Sequence, residues 1–135
     1  MAKVLAFDIG KKRTGVAETD PFKIIATGLP TIDTNELFRF LAKYVALENP
    51  ELLVIGEPKR MHGVASEVEG FIQETIVKIK SNYPQLPIQR VDERFTSKMA
   101  SHVISQSGMS KKKRQDKALI DEVSAVIILQ TWLNK

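Results

Sequence analysis

The chain has no cysteine, only two histidines and a single tryptophan. Without cysteine there can be no disulfide, no thiolate metal site and no cysteine nucleophile, and a reducing compartment suits the chain. His62 and His102 lack the spacing of zinc ligands and read as a loop residue and a helix-surface residue. No apolar run is long enough to span a bilayer, and Met1-Ala2-Lys3-Val4-Leu5 leads straight into a strand pattern rather than a signal peptide. The expectation is a cytoplasmic protein with no membrane partner. A Walker A sequence and a G-x-G-x-x-G fingerprint are also missing, as are repeats and low-complexity tracts.

What is present is an ordinary globular composition. The 135 residues are 43% apolar and 27% charged, which suits one domain over 1–135 with its own core. Lysine and arginine number 20 against 16 acids, a net charge of +4. That balance permits a polyanionic partner without demanding one.

Val4–Asp8 alternates as a strand, and Gly10 suits the tight turn before a second strand over Thr14–Thr19. Asp20-Pro21 breaks it, and Ile24–Leu29 reads as a third strand stopped by Pro30. The short connections predict an antiparallel meander. Asp33 and Glu36 read as a capping box ahead of a helix with Leu37, Phe38, Leu41, Tyr44 and Val45 on one face, ending by Asn49-Pro50. Leu52–Ile55 is a short, continuous apolar run, the pattern of a parallel strand buried on both faces. Ser66 and Glu69 suggest a second capping box, followed by a helix with Phe71, Ile72, Ile76 and Ile79 inward. Ile88–Val91 is the fifth strand. Further helices are expected from Thr96 or Ser97 to Gly108, and from about Ala118 to Leu133. Trp132, in that last helix, reads as core rather than as a base-stacking platform. The order β-β-β-α-β-α-β-α-α predicts an α/β fold: a mixed five-stranded sheet, three strands antiparallel and then two parallel, with helices on both faces.

Three acids fall where this topology gathers chain segments. Asp8 lies in the first strand among small apolar residues, Glu93 (beside Asp92) at the end of the last strand, and Asp121 in the opening turns of the last helix. Sites collect at the carboxyl ends of parallel strands. Three ionised carboxylates stay together only around a cation, and a hard divalent ion, Mg²⁺ or Mn²⁺, suits an all-oxygen set. Paired ions of this kind are the usual machinery for cutting phosphodiesters. Each acid also has a plainer reading. Asp8 could pair with Arg13, Glu93 with Arg94, and Asp121 could complement the helix dipole.

The same residues resemble a known family. Asp8-x-Gly10-x-x-Arg13-x-Gly15 is similar to the opening motif of the YqgF (RuvX) family, and Asp92-Glu93-Arg94-Phe95-Thr96-Ser97 to its second. Ile120-Asp121-Glu122 with Ala125–Gln130 resembles its third, and Gly56-Glu57-Pro58-Lys59 with Gly63 its Gly-Leu-Pro loop. The resemblance implies an RNase H-like fold, kinship with the resolvase RuvC and a metal-dependent nuclease, with processing of the 5′ end of precursor 16S ribosomal RNA as the activity proposed for the family. Carried over, Asp8, Glu93 and Asp121 form the catalytic, metal-binding triad. Two positions depart from the pattern. Glu57 stands where leucine is more usual; RuvC-like nucleases place an acid near there, so Glu57 could supplement or replace Glu93 as a metal ligand, and Ser124 stands where alanine is usual.

Basic residues complete the picture of a nucleic-acid partner, structured RNA or branched DNA. Lys111, Lys112, Lys113, Arg114 and Lys117 form the densest cluster, and Lys11, Lys12, Arg13, Lys59, Arg60 and Arg94 flank the proposed acids. The 111–117 run alone would also serve as a solvated linker. Two other functions stay open: a nucleotide binder of the actin-like or sugar-kinase type, for which 135 residues leave little room for a second lobe, and a catalytically silent nucleic-acid-binding module. A homodimer would suit symmetric junction cleavage, and a monomer would suit RNA processing.

Overall fold

The computed structural model describes residues 2–58, 68–93 and 117–134. Strands β1 (Val4–Ile9), β2 (Arg13–Thr19) and β3 (Ala26–Asp33) are followed by a single 3₁₀ turn (Thr34–Glu36) and helix α1 (Leu37–Glu48). Then come β4 (Leu52–Glu57), α2 (Glu69–Asn82), β5 (Ile88–Asp92) and α3 (Lys117–Leu133). The five strands form one sheet in the order β3-β2-β1-β4-β5. β1–β2 and β2–β3 pair antiparallel; β1–β4 and β4–β5 pair parallel. The mixed sheet therefore has the predicted topology. The 96–108 helix lies outside the described residues.

Strand alternation divides the interior into two layers. Leu5, Phe7 and Ile9 of β1 join Val16, Leu53 and Ile55 against Leu37, Leu41 and Tyr44 of α1 and Ile72, Ile76 and Ile79 of α2. Val4 and Ala6 face the other way, with Ala17, Val54 and Val91, against Ala125, Ile128 and Leu129 of α3. Each large aliphatic side chain sealed in these layers contributes about 1.5–3 kcal/mol relative to exposure. Helices thus cover both faces, and Asp8, two places beyond Ala6, falls on the α3 face. Trp132 packs at the margin of that layer, its indole N–H donating to Gln89 Oε1 at 2.8 Å.

Several local expectations are corrected. The third strand runs through Pro30 rather than stopping there. β3 is an edge strand whose pairing with β2 breaks register between Thr14 and Val16, so the missing N–H of Pro30 costs no ladder bond. Ile24 and Ile25 instead belong to the preceding turn, where Asp20 Oδ1 accepts from both backbone N–H groups at 2.7 and 2.8 Å. The capping box at Asp33 does not form: Asp33 ends β3, makes no side-chain cap, and a 3₁₀ turn intervenes before α1. The second capping box falls on Ser66, which lies outside the described residues; Glu69 makes an ion pair with Arg90 of β5. Helix α1 does end at Asn49, which adopts the left-handed conformation at φ 45°.

Candidate active site

The carboxyl ends of β1, β4 and β5 lie side by side because these three strands are parallel neighbours. Asp8 is the fifth residue of β1 and Glu93 follows β5 directly. The two are joined by a hydrogen bond between their carboxyl groups. Such a bond needs a proton on one of them. Burial pushes Glu93 up to about 10, with the neighbouring Asp8 charge acting in the same direction and Arg90 opposing it. Burial likewise lifts Asp8 to about 6, while its bond to Glu93 lowers it and the charge of Asp121 raises it.

Glycines make room for this pair. A Cβ on Gly56 would stand 2.8 Å from Glu93 Oε2 and 2.7 Å from Ile128 Cδ1, so the missing side chain is the space Glu93 occupies. On β2, Gly15 pairs with Asp8, and a Cβ there would collide with the backbone oxygen of Asp121. The bare backbone at Gly15 lets the first turns of α3 descend onto the sheet. That descent brings Asp121 close enough for its charge to act on Asp8.

Asp121 has its own partner. Arg13 Nε donates to Asp121 Oδ2 at 2.9 Å. The alternative pairing, Arg13 with Asp8, is not the one adopted. Among the described residues, no three acids or histidines stand together as a ready metal cage. The donor set nonetheless suits a hard divalent ion: two touching carboxyl groups that need a proton to coexist, with a third carboxylate nearby. Glu57 ends β4 one place after Gly56, so strand alternation puts it on the face of Leu53 and Ile55, opposite Asp8. Its carbonyl accepts from the Glu93 N–H at 3.1 Å.

Of the basic residues, Lys11 and Lys12 are exposed on the β1–β2 turn, and Lys117 is exposed at the start of α3. Lys59, Arg60, Arg94, Lys111, Lys112, Lys113 and Arg114 lie outside the described residues. Sequence reasoning missed two supports. Arg90 donates to both Glu69 oxygens at 2.7 and 2.9 Å and to the Gly56 carbonyl at 2.9 Å, bracing the end of β4 beneath Glu93. Thr34 bonds the β1–β2 turn from below. Both contacts join residues remote in sequence, and no local pattern marks them.

A five-stranded mixed sheet ending in clustered carboxyl groups defines the RNase H-like α/β class. Consistent with it, the chain superposes on Thermus thermophilus RuvC in complex with a Holliday junction substrate at a TM-score of 0.56 and 14% identity, covering 100% of this chain and 98% of that one. Residues 2–135 match the family described as RuvX, Holliday junction resolvase, and the chain belongs to that family. A protein of Christiangramia forsetii named "Putative pre-16S rRNA nuclease" is 54% identical over 133 residues, 98% of each chain. One of the same name from Porphyromonas gingivalis is 52% identical over 134 residues, 99% of this chain and 97% of that one.

Proposed function

We propose that this chain is a metal-dependent nuclease that hydrolyses phosphodiester bonds in precursor 16S ribosomal RNA, at its 5′ end. The substrate follows the relatives' name; the chemistry is supported by one observation above all, the buried carboxyl pair of Asp8 and Glu93 with Asp121 beside it. Two such groups at a strand edge are costly to keep unless a cation is their purpose.

Asp8, Glu93 and Asp121 are the residues that would hold Mg²⁺ or Mn²⁺. The bound ions would supply an activated water and stabilise the leaving oxygen. The protein's part is to give up the proton shared by Asp8 and Glu93, to hold the Glu93 carboxyl over Gly56 beside Ile128, and to seat the Asp121 backbone over Gly15. Lys11, Lys12 and Lys117 would hold phosphates without reading sequence. Ribosomal RNA as substrate places the protein in the cytoplasm, and no described helix is long and apolar enough to cross a membrane.

The test offers purified protein and Mn²⁺ precursor 16S RNA and a four-way DNA junction side by side. Wild type should cut the RNA, and Asp8→Asn should reduce cleavage on the order of a thousandfold while leaving the melting profile cooperative. Asp8→Asn cutting at the wild-type rate would end the assignment. Preference for the junction would favour resolvase action, which the family description supports and which would require paired sites in a homodimer.

A further inference from the structure

The turn carrying Lys11, Lys12 and Arg13 is fixed from beneath. The Thr34 hydroxyl donates to the Gly10 carbonyl at 2.6 Å and therefore accepts from the Thr14 hydroxyl at 2.9 Å. The Thr34 N–H donates to the Lys12 carbonyl, and the Gly10 N–H to the Arg13 carbonyl, both at 2.9 Å. Both threonines are buried. The backbone of the turn is thus held at three hydrogen bonds, with a fourth between the two threonine hydroxyls beneath it, and the part of Arg13 free to change partner is its side chain.

That side chain is 36% exposed, within reach of an anion arriving from solvent, yet it engages Asp121. The result is a divided set of acids: Asp8 bonded to Glu93, Asp121 bonded to Arg13, and no three-acid cage among the described residues. An arginine fork recognises a phosphate as well as it does a carboxylate, so exchanging one for the other costs little.

We propose that Arg13 is a positioning residue that acts as a latch. With no nucleic acid bound, it retains Asp121. When a phosphate of the substrate takes the guanidinium, Asp121 is released to complete the oxygen set of Asp8 and Glu93, so the cation site assembles on the substrate. This rests on the nuclease reading given above. Thermodynamic linkage makes the coupling reciprocal: whatever draws Arg13 away tightens cation binding, and a bound cation tightens the hold on phosphate.

The experiment is calorimetric titration of Mn²⁺ into the full chain, as wild type, Arg13→Gln, Arg13→Met and Asp8→Asn, alone and with a phosphorothioate RNA duplex that resists cleavage. Without RNA, Arg13→Gln and Arg13→Met should bind Mn²⁺ at least about fivefold more tightly than wild type. RNA should raise wild type to the same level and leave both variants unchanged, with Asp8→Asn giving the background. A mere loss of local positive charge would leave the RNA response of the variants intact. Variants that bind Mn²⁺ as wild type does, or that respond to RNA as wild type does, overturn the latch while the nuclease reading stands. Absence of saturable Mn²⁺ binding in every protein, with and without RNA, overturns both.

Discussion

Asp8 in the first strand and Glu93 just past the last meet carboxyl to carboxyl, and one of them keeps a proton. Both groups ionise at higher pH in the folded chain than in the unfolded one. Through these two groups folding takes up protons, so the stability they lend the metal-free protein is full at low pH and is lost as pH rises. Its melting temperature, in chelator, should fall as pH rises from the ordinary glutamate value of 4.5 toward the Glu93 value of about 10. Glu93→Gln should flatten that slope. A wild-type slope unchanged by this substitution would show that the pair is not its source. At neutral pH, Mn²⁺ binding should release about one proton, read by calorimetry in buffers of different ionisation enthalpy.

Gly56 is a second point of leverage, because its missing side chain is where Glu93 and Ile128 lie. Gly56→Ala should cost about 1–3 kcal/mol in denaturant unfolding through overpacking and reduce cleavage with it. Stability equal to wild type would mean that Glu93 can move aside freely.

Thr34 should behave as a clamp on the basic turn. Thr34→Val, which keeps the shape and loses the hydroxyl, should cost about 1–3 kcal/mol by leaving the Gly10 carbonyl unpaired, and Thr34→Ser should restore most of it. Lys11→Ala with Lys12→Ala should leave stability nearly unchanged and lower the salt slope of RNA binding by about 0.7–0.9 per lost phosphate contact.

Glu57 separates the two ligand sets considered from sequence. Strand alternation puts it across the sheet from Asp8, so Glu57→Gln should retain cleavage close to wild type. A loss as deep as that of Glu93→Gln would add Glu57 to the ligands.

Ser124 is buried on α3, and among the described residues its hydroxyl has no hydrogen-bond partner. Ser124→Ala should stabilise the chain by about 1 kcal/mol, since it removes an unsatisfied group without opening a cavity of consequence. A destabilised Ser124→Ala would show that the hydroxyl has a bridging water.

The sheet was legible in the sequence because its signals are local. Alternation in Val4–Asp8, the unbroken run Leu52–Ile55 and the short turns between strands are enough to order the elements. The position of Asp8 on a face of small residues was legible for the same reason, since Val4 and Ala6 share that face. What escaped depends on distant partners. Nothing near Glu69 in the sequence announces Arg90, which β5 brings across to both of its oxygens. Pro30 looks like a stop until the strand proves to be an edge with a register break. Arg13 and Asp8 share a motif, yet Arg13 turns to an acid 108 residues away.

The close descent of α3 onto Gly15 has a consequence for the folding of the chain. A chain whose sheet has formed but whose final helix has not settled has Asp8 and Glu93 in place without Asp121, and so lacks one of the three acids proposed to hold the metal. Seating the last helix, the step that seals the second layer of the fold, is therefore also the step that delivers Asp121 to Arg13 and to the neighbourhood of Asp8.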